Sequence, residues 1–225
     1  DASVGLETLA RELRGGVAGR LDLGVNADPS LTRLGAIVGL LRERHPRLDV
    51  NVQMRSSLPT RQGVRTGELD AGFLLSSTFD RGLAGIELAT LHYRIAAPSA
   101  WGERVRDADW KALAALPWVV TAPGTSNHEM RDGLFQPHRL AVNATVEANN
   151  DLLLRTLIAD GIGIGLVRDD HAQRGERDGL YALPALGHAE TKLLFVYLES
   201  RARDPVIQAV IEGVRQAWPA CAENG

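Results

Sequence analysis

The stretch LDVNVQM, residues 48–54, alternates apolar and polar residues without interruption, which is the period of a β-strand with one buried face. Before it, apolar residues spaced three and four apart over 31–41 follow one helix face, and the His-Pro pair at 45–46 ends that helix. After it, the Ser-Ser-Leu-Pro run at 56–59 introduces a second helix reaching about Thr66. The sequence around this stretch therefore predicts helix, strand and helix in succession.

The same alternation extends outward in both directions. Residues 20–25 have the pattern of a strand, and a Gly-Glu-Leu-Asp turn at 67–70 leads into a further strand at 71–75. Strand and helix thus alternate three times, which predicts parallel strands joined by right-handed helical crossovers. Two more extended segments are predicted at 86–91 and 93–97, where Pro98 closes the second.

The second half of the chain repeats this rhythm. The predicted elements are a strand at 118–121, a turn at 123–126, a helix at 129–134, a strand at 140–146, a helix at 152–160 capped by 149–151, a strand at 161–167, a strand at 193–198 and a helix at 205–218. No flexible linker separates the halves, so an α/β protein of two tightly connected lobes is expected, with chain crossings near 96–99 and 191–194.

Composition excludes several classes of protein. The 225 residues are 44% hydrophobic and 24% charged, as in an ordinary globular protein. Twenty-five Lys and Arg against 28 Asp and Glu give a net charge of -3, which argues against a domain that grips nucleic acid unaided. There is no membrane-length apolar run, no secretion signal and one cysteine, Cys221, so a cytoplasmic location without disulfides is expected.

The start of the chain suggests a longer polypeptide, because no initiator Met is present. Residues 4–13 have one apolar helix stripe, followed by a Gly-Gly stop at 15–16. This helix either packs on its own domain or is the end of a linker or coiled coil.

No motif for catalysis, metal or cofactor binding emerges, and none of the three is predicted. The six histidines lack the helical spacing of a zinc site, and no Ser lies in a nucleophile elbow. The glycines of Gly161-Ile-Gly-Ile-Gly165 alternate inside a predicted strand, which favours close backbone packing over a dinucleotide loop. Acidic residues beside turns are read as caps or solvent-facing groups: Glu68, Asp70, Asp169 and Asp170.

Hydroxyl and amide side chains recur where predicted strands give way to helices. They are Asn26, Ser30 and Thr32; Ser56 and Ser57; Thr125, Ser126 and Asn127; and Asn149 and Asn150. Each alone is readily explained as a helix N-cap. Together, beside the free N–H groups of helix N-termini at the carboxyl ends of strands, they suggest a site for a small polar molecule with an anionic end, such as a carboxylate.

Four stretches resemble the effector-binding domain of LysR-type transcriptional regulators, which has the type 2 periplasmic-binding-protein fold. They are the opening strand GRLDLG at 19–24, the helix-His-Pro-strand passage at 40–50, the turn at 64–73 with its Gly-Glu-Leu-Asp, and the Gly-Ile-Gly segment at 157–167. The resemblance covers about residues 17–218. It implies two Rossmann-like lobes with a hinge crossed twice: lobe I at 17–95 plus 194–218, and lobe II at 96–193, after the end of a linker helix at 1–16.

The resemblance also implies a function. An effector would bind between the lobes, with contacts carried over to Asn26, Ser30, Thr32, Ser56, Ser57, Ser76, Ser77, Thr78, Thr125, Ser126 and Asn149. Replacing Thr125 or Ser30 with Ala is expected to weaken binding. A DNA-binding winged helix-turn-helix would lie upstream. The helices at 31–44 and 152–160 would pair across a homodimer, and the resemblance also allows a tetramer of the full-length protein. The alternatives are a transporter's solute-binding receptor of the same fold and an enzyme on this scaffold.

Overall fold

The computed structural model describes residues 16–25 and 31–219, which form two compact units. Among these residues, unit 1 comprises 16–25, 31–74, 78–88 and 193–219, and unit 2 comprises Leu75–Ser77 and Ala89–Lys192. The helix predicted at 4–13, the loop residues Asn26 and Ser30, and Cys221 lie outside the described residues.

Unit 1 is built on parallel strands separated by helices, as the alternation predicted. Its first elements are β1 (Gly19–Val25), α1 (Leu34–Arg44), β2 (Leu48–Met54), α2 (Ser57–Thr66) and β3 (Ala71–Ser76). Strand β1 pairs in parallel with β2 along its whole length and with β3 at Leu23 and Ala71. The carboxyl ends of β1 and β2 therefore meet at one edge of the sheet, which places the entries to α1 and α2 side by side.

Helix α1 begins three residues later than the apolar spacing predicted. Residues 31–33 form a turn, and Arg33 occupies the N-cap position with a φ of 52° and no capping side chain. The helix buries Ile37 and Leu41, which lie beside Gly213 of the last helix, α8 (Pro205–Ala217). A Cβ on Gly213 would lie 3.6 Å from Ile37 Cγ2, an ordinary van der Waals contact, so the two helices pack at normal distance here.

Strand β4 (Leu83–Pro98) is one strand of 16 residues, so the prediction of two separate segments was wrong. The exposed His92 between them fits the alternation of a single strand, because Leu91 and Tyr93 on either side are buried. Strand β9 (His188–Leu198) is likewise longer than the predicted 193–198. Both strands run from one unit into the other, at 88–89 and 192–193.

Unit 2 repeats the alternation with shorter elements. They are α3 (Gly102–Val105), α4 (Trp110–Ala115), β5 (Pro117–Val120), α5 (Ser126–Phe135), β6 (Asn143–Glu147), α6 (Asp151–Ala159), β7 (Gly165–Arg168), α7 (Asp169–Arg177) and β8 (Tyr181–Ala182). Strands β5 and β6 are parallel, and β7 pairs antiparallel with β4.

Three elements of unit 2 start three or four residues away from the predicted position. Helix α5 is longer than 129–134, and β6 begins at Asn143 instead of residue 140, after a residue, Arg139, in left-handed conformation. Strand β7 begins at Gly165 instead of residue 161, because Gly161 adopts a φ of 85° in the turn that ends α6. A backbone turning in this way cannot continue as a strand.

The remaining glycines of the Gly-Ile-Gly segment pack closely, as predicted. A Cβ on Gly163 would lie 2.7 Å from the carbonyl oxygen of Pro117, and one on Gly165 would lie 2.9 Å from Ile158 Cδ1. The segment is the close neighbour of β5, since Ile164 bridges Trp118 in parallel. These glycines therefore serve backbone packing.

Aromatic rings fix α5 to β5. Trp118 is fully buried, and its Nε1 donates to the Leu113 carbonyl at 2.9 Å. The Phe135 ring meets Trp118 and Trp110 edge-on, with centroids 5.3 Å away in each case. Edge-to-face pairs of this kind stabilise a core beyond the area they bury.

The Gly-Glu-Leu-Asp turn is a structural junction. Gly67 ends α2 with a φ of 78°, which favours glycine. The Asp70 carboxylate accepts from the Asp22 backbone N–H at 2.7 Å and from Arg201 Nη1 at 2.6 Å. Asp70 thus joins β1 to the segment between β9 and α8, an ion-paired role in place of the cap or solvent-facing role predicted.

Acid stability is expected to depend on Asp22. Its carboxylate accepts from the Arg20 guanidinium at 2.8 Å and from Asn51 Nδ2 at 2.6 Å, which lower its pKa from 3.8 to about 2. Because the pKa is lower in the folded state, this contribution is present above pH 3.8 and is lost as the pH falls towards about 2. The melting temperature of Asp22→Asn should therefore change less between pH 3.8 and about pH 2 than the melting temperature of the native protein does. Exposed Asp49, changed to Asn, is the control, and an unchanged profile for Asp22→Asn would contradict the expectation.

Candidate functional site

In unit 1, the described site residues differ in what their side chains can reach. Ser56 occupies the N-cap position of α2, is exposed, and makes no capping hydrogen bond. Ser57 is 5% exposed and Thr32 is fully buried, with the Thr32 carbonyl accepting weakly from Trp218 Nε1 at 3.5 Å. Of these three, Ser56 is the one whose hydroxyl faces solvent at a helix start.

In unit 2, two of the predicted loops lie side by side. The last residues of β5 and β6, Val120 and Glu147, are opposite each other, and the Ala148 N–H donates to the Val120 carbonyl at 2.8 Å. The loop before α5 and the loop before α6 therefore leave the same edge of the sheet, as expected for parallel strands.

The Thr125 hydroxyl is fully engaged within the protein. It is the N-cap of α5: Oγ1 accepts from the His128 N–H at 3.2 Å, donates to the Ala122 carbonyl at 2.9 Å, and lies 2.6 Å from Thr121 Oγ1. A hydroxyl has one proton and two lone pairs, so with Thr121 as donor in the last contact no capacity remains for a ligand. The capping interpretation of Thr125 is confirmed.

The next two residues anchor the start of α5. Ser126 is buried and its Oγ donates to the Leu75 carbonyl at 2.9 Å, at the end of β3. Asn127 Nδ2 donates to the Leu166 carbonyl of β7 at 2.8 Å. Together they fix the direction in which the first N–H groups of α5 point. The sequence of polar residues alone does not predict this anchoring role.

Two other predicted residues present unused polar groups. Ser77 is exposed after β3, next to half-buried Ser76, and has no partner among the described residues. Asn149 is exposed, and its Oδ1 accepts from Asn150 Nδ2 at 3.0 Å. Asn150 is the N-cap of α6, accepting from the Leu153 N–H at 2.8 Å, and Asn149 Nδ2 has no partner among the described residues.

A group of charged residues lies directly after β7. The sequence did not predict them as site residues. Asp169 contacts Arg94 of β4. Asp170 accepts from Arg168 at 2.6 Å, which lowers its pKa to about 2, and burial lowers the pKa of His171. Both acids are ion-paired; Asp170 is exposed, as the solvent-facing interpretation predicted, whereas Asp169 is half-buried.

Within the described residues, no group of three or more His, Cys, Asp or Glu is arranged to hold a metal ion. Across the same residues, no helix combines the length and apolar character that crossing a membrane requires.

Similarity to known proteins identifies the family. The model of the LysR substrate binding domain matches residues 14–219. The chain belongs to this family. The LysR-type resemblance of its sequence motifs is thereby confirmed, and no curated protein sequence shows significant similarity to it.

Solved LysR-type structures share the fold. The CcmR regulatory domain of Synechocystis PCC6803, in complex with 2-PG, has a TM-score of 0.73 at 14% identity, covering 89% of this chain and 97% of that chain. The QuiR effector binding domain, in complex with shikimate, has a TM-score of 0.72 at 11% identity, covering 92% and 99%. Full-length CbnR, complexed with its target DNA, has a TM-score of 0.63 at 16% identity, covering 92% and 73%. The predicted α/β fold of the periplasmic-binding-protein type is confirmed.

The cap role of Thr125 in this LysR domain can be tested by stability. Thr125→Val removes the acceptor of the His128 N–H and should lower the free energy of unfolding by roughly 1–2 kcal/mol, whereas Thr125→Ser should retain most of it. Urea unfolding measures both. Equal stability of the Val variant and the native domain would show that the hydroxyl contacts do not contribute to the free energy of unfolding.

Proposed function

We propose that this domain is the effector sensor of a LysR-type transcriptional regulator, binds a small anionic metabolite, and relays binding through dimer geometry to a DNA-binding domain upstream. The observation that carries the proposal is the family match over residues 14–219. In this assignment the domain is cytoplasmic, performs no catalysis, and leaves DNA contact to the upstream domain.

Donors at helix starts support an anionic effector. In unit 2, the N–H of Asn127 in the first turn of α5 has no partner among the described residues, and Asn149 Nδ2 and Ser77 lie on neighbouring loops. In unit 1, exposed Ser56 stands at the start of α2. Helix N-termini favour negative charge. Shikimate, bound by QuiR, is itself a carboxylate.

The proposed contacts are neutral, which suits a reversible sensor. Hydrogen bonds to a charged ligand contribute roughly 0.5–3 kcal/mol each, so a few of them supply micromolar affinity without a fixed counter-charge. To signal, the effector must bind two arrangements of the protein with different affinity. The family match favours this function over the transporter receptor of the same fold.

A thermal-shift screen tests the proposal. The ligands are small aliphatic carboxylates, hydroxy acids including shikimate, aromatic acids and amino acids, each with its uncharged amide as the control. A binder at 100 times its Kd should stabilise the domain by about 2.7 kcal/mol. Stabilisation by acids and not by amides supports an anion sensor, and stabilisation by amides equally would contradict it.

We also propose a homodimer in which α1 of one subunit pairs with α6 of its partner. Helix α6 leaves Leu152 67% exposed and Leu153 40% exposed, side chains that a monomer would leave in water. Leu152→Glu should convert the dimer to a monomer in sedimentation equilibrium at micromolar concentration. Leu180→Glu, at a 46% exposed leucine elsewhere in unit 2, is the control, and a monomeric native domain would contradict the proposal.

A further inference from the structure

Unit 2 carries a groove of about 960 Å³ between helix α5 and the segment that leads into β6. One side comes from α5 and includes the polar residues His128, Glu129, Arg131 and Asp132. The other side, which follows Arg139, is largely apolar, from Leu140, Ala141, Val142 and Ala144. None of the proposed effector-contact residues lines it. The groove is therefore a candidate site distinct from those at the helix starts.

Arg131 gives the groove a specific chemistry. The residue is 7% exposed, yet it lines the groove. Its Nε donates to Asp132 Oδ1 at 3.0 Å, and its Nη2 contacts Asp132 Oδ1 at 2.5 Å and His128 Nδ1 at 3.0 Å. Nη1 has no partner among the described residues. This nitrogen is not among the fully buried side-chain atoms that lack a hydrogen-bond partner, so a ligand in the groove can reach it in place of solvent.

The surrounding contacts define what that acceptor can be. Nδ1 of His128 lies 3.0 Å from Arg131 Nη2, and Nε2 lies 3.1 Å from Asp132 Oδ2, so both ring nitrogens are already in contact with these two side chains. Asp132 already balances the charge of Arg131. A ligand is therefore selected by the direction of the Nη1 donor and by the apolar wall opposite, features that fit a carboxylate on an apolar body.

We propose that this groove is a second ligand site, which binds a small amphipathic monocarboxylate with its acid group on Arg131 Nη1 and its apolar part against Leu140 and Val142. The site is connected to the start of α5 through one residue. The His128 ring contacts Arg131 Nη2 at 3.0 Å, while its backbone N–H donates to the Thr125 cap. A ligand at Arg131 thus acts on the residue that holds the first turn of the helix.

Titration of the 225-residue chain with benzoate, followed by amide NMR shifts, tests the proposal. We expect saturable shifts for residues 139–144 and for the Arg131 side chain, with a millimolar or tighter Kd, and none with uncharged benzamide. Ala141→Glu places a negative charge on the exposed lip without touching buried Arg131, and should weaken benzoate at least about fivefold. Arg131→Met should weaken it at least about tenfold.

The matched control is Ala112→Glu, an exposed alanine of α4 outside the groove, which should bind benzoate as the native chain does. Absence of shifts at 139–144 up to about 10 mM benzoate, equal binding of benzamide, or unchanged affinity in Ala141→Glu would overturn the proposal. Shifts confined to Ser77, Asn127 and Asn149 would also overturn it, while supporting the effector site at the helix starts.

Discussion

Replacing Gly163 with Ala is expected to lower the free energy of unfolding by roughly 1–3 kcal/mol, because the added methyl group has no space. It would lie 2.7 Å from the Pro117 carbonyl oxygen and 3.1 Å from its carbon. These are backbone atoms, held by the Ile164 N–H donating to the Pro117 carbonyl at 2.9 Å. Neither β5 nor the segment before β7 can move apart without losing the hydrogen bonds that Ile164 makes to β5.

Gly39→Ala is the matched control for this prediction. Gly39 is exposed within α1, and a Cβ there meets nothing within 4 Å. This variant should be neutral or more stable by up to about 1 kcal/mol, because Ala favours helix more than Gly does. Guanidinium unfolding compares the two. If Gly163→Ala proved as stable as the native domain, close packing would not explain the Gly-Ile-Gly segment.

The sequence predicted the fold well where hydrophobic period alone decides structure. The alternation of residues 48–54 and the apolar spacing on either side identified β2 and its neighbouring helices. It failed at β4, where an exposed His92 in a long strand resembles a break between two short ones. The sequence-based prediction also placed the start of α1 too early, because Arg33 adopts a left-handed conformation. Nothing in the sequence predicts that conformation for a residue other than glycine.

The candidate site was less predictable, since capping and ligand binding use the same residue types. Thr125 and Asn149 both follow strands and precede helices, yet the Thr125 hydroxyl is consumed by three internal contacts and Asn149 Nδ2 is not. Hydrogen-bond capacity is a property of the folded geometry. The Arg131 groove was missed for a similar reason, because His128 and Arg131 belong to no sequence motif.

Removal of the unused polar groups is expected to have the largest effect on effector binding. Ser56→Ala and Asn149→Ala should each weaken binding of an acid identified by the screen by roughly 3- to 10-fold, and by the product when combined. Both residues are exposed and neither caps a helix through its side chain, so the melting temperature should stay unchanged. Ser200→Ala and Asn143→Ala, at exposed positions outside the proposed contacts, are the matched controls.

Calorimetric titration of that acid into the native domain and these four variants is the most direct test of the sensor assignment. We expect one binding event in the native domain that is weakened in Ser56→Ala and Asn149→Ala, weakened further in the double variant, and retained in both controls. Unchanged affinity in Ser56→Ala and Asn149→Ala would contradict it and would place the effector on other residues.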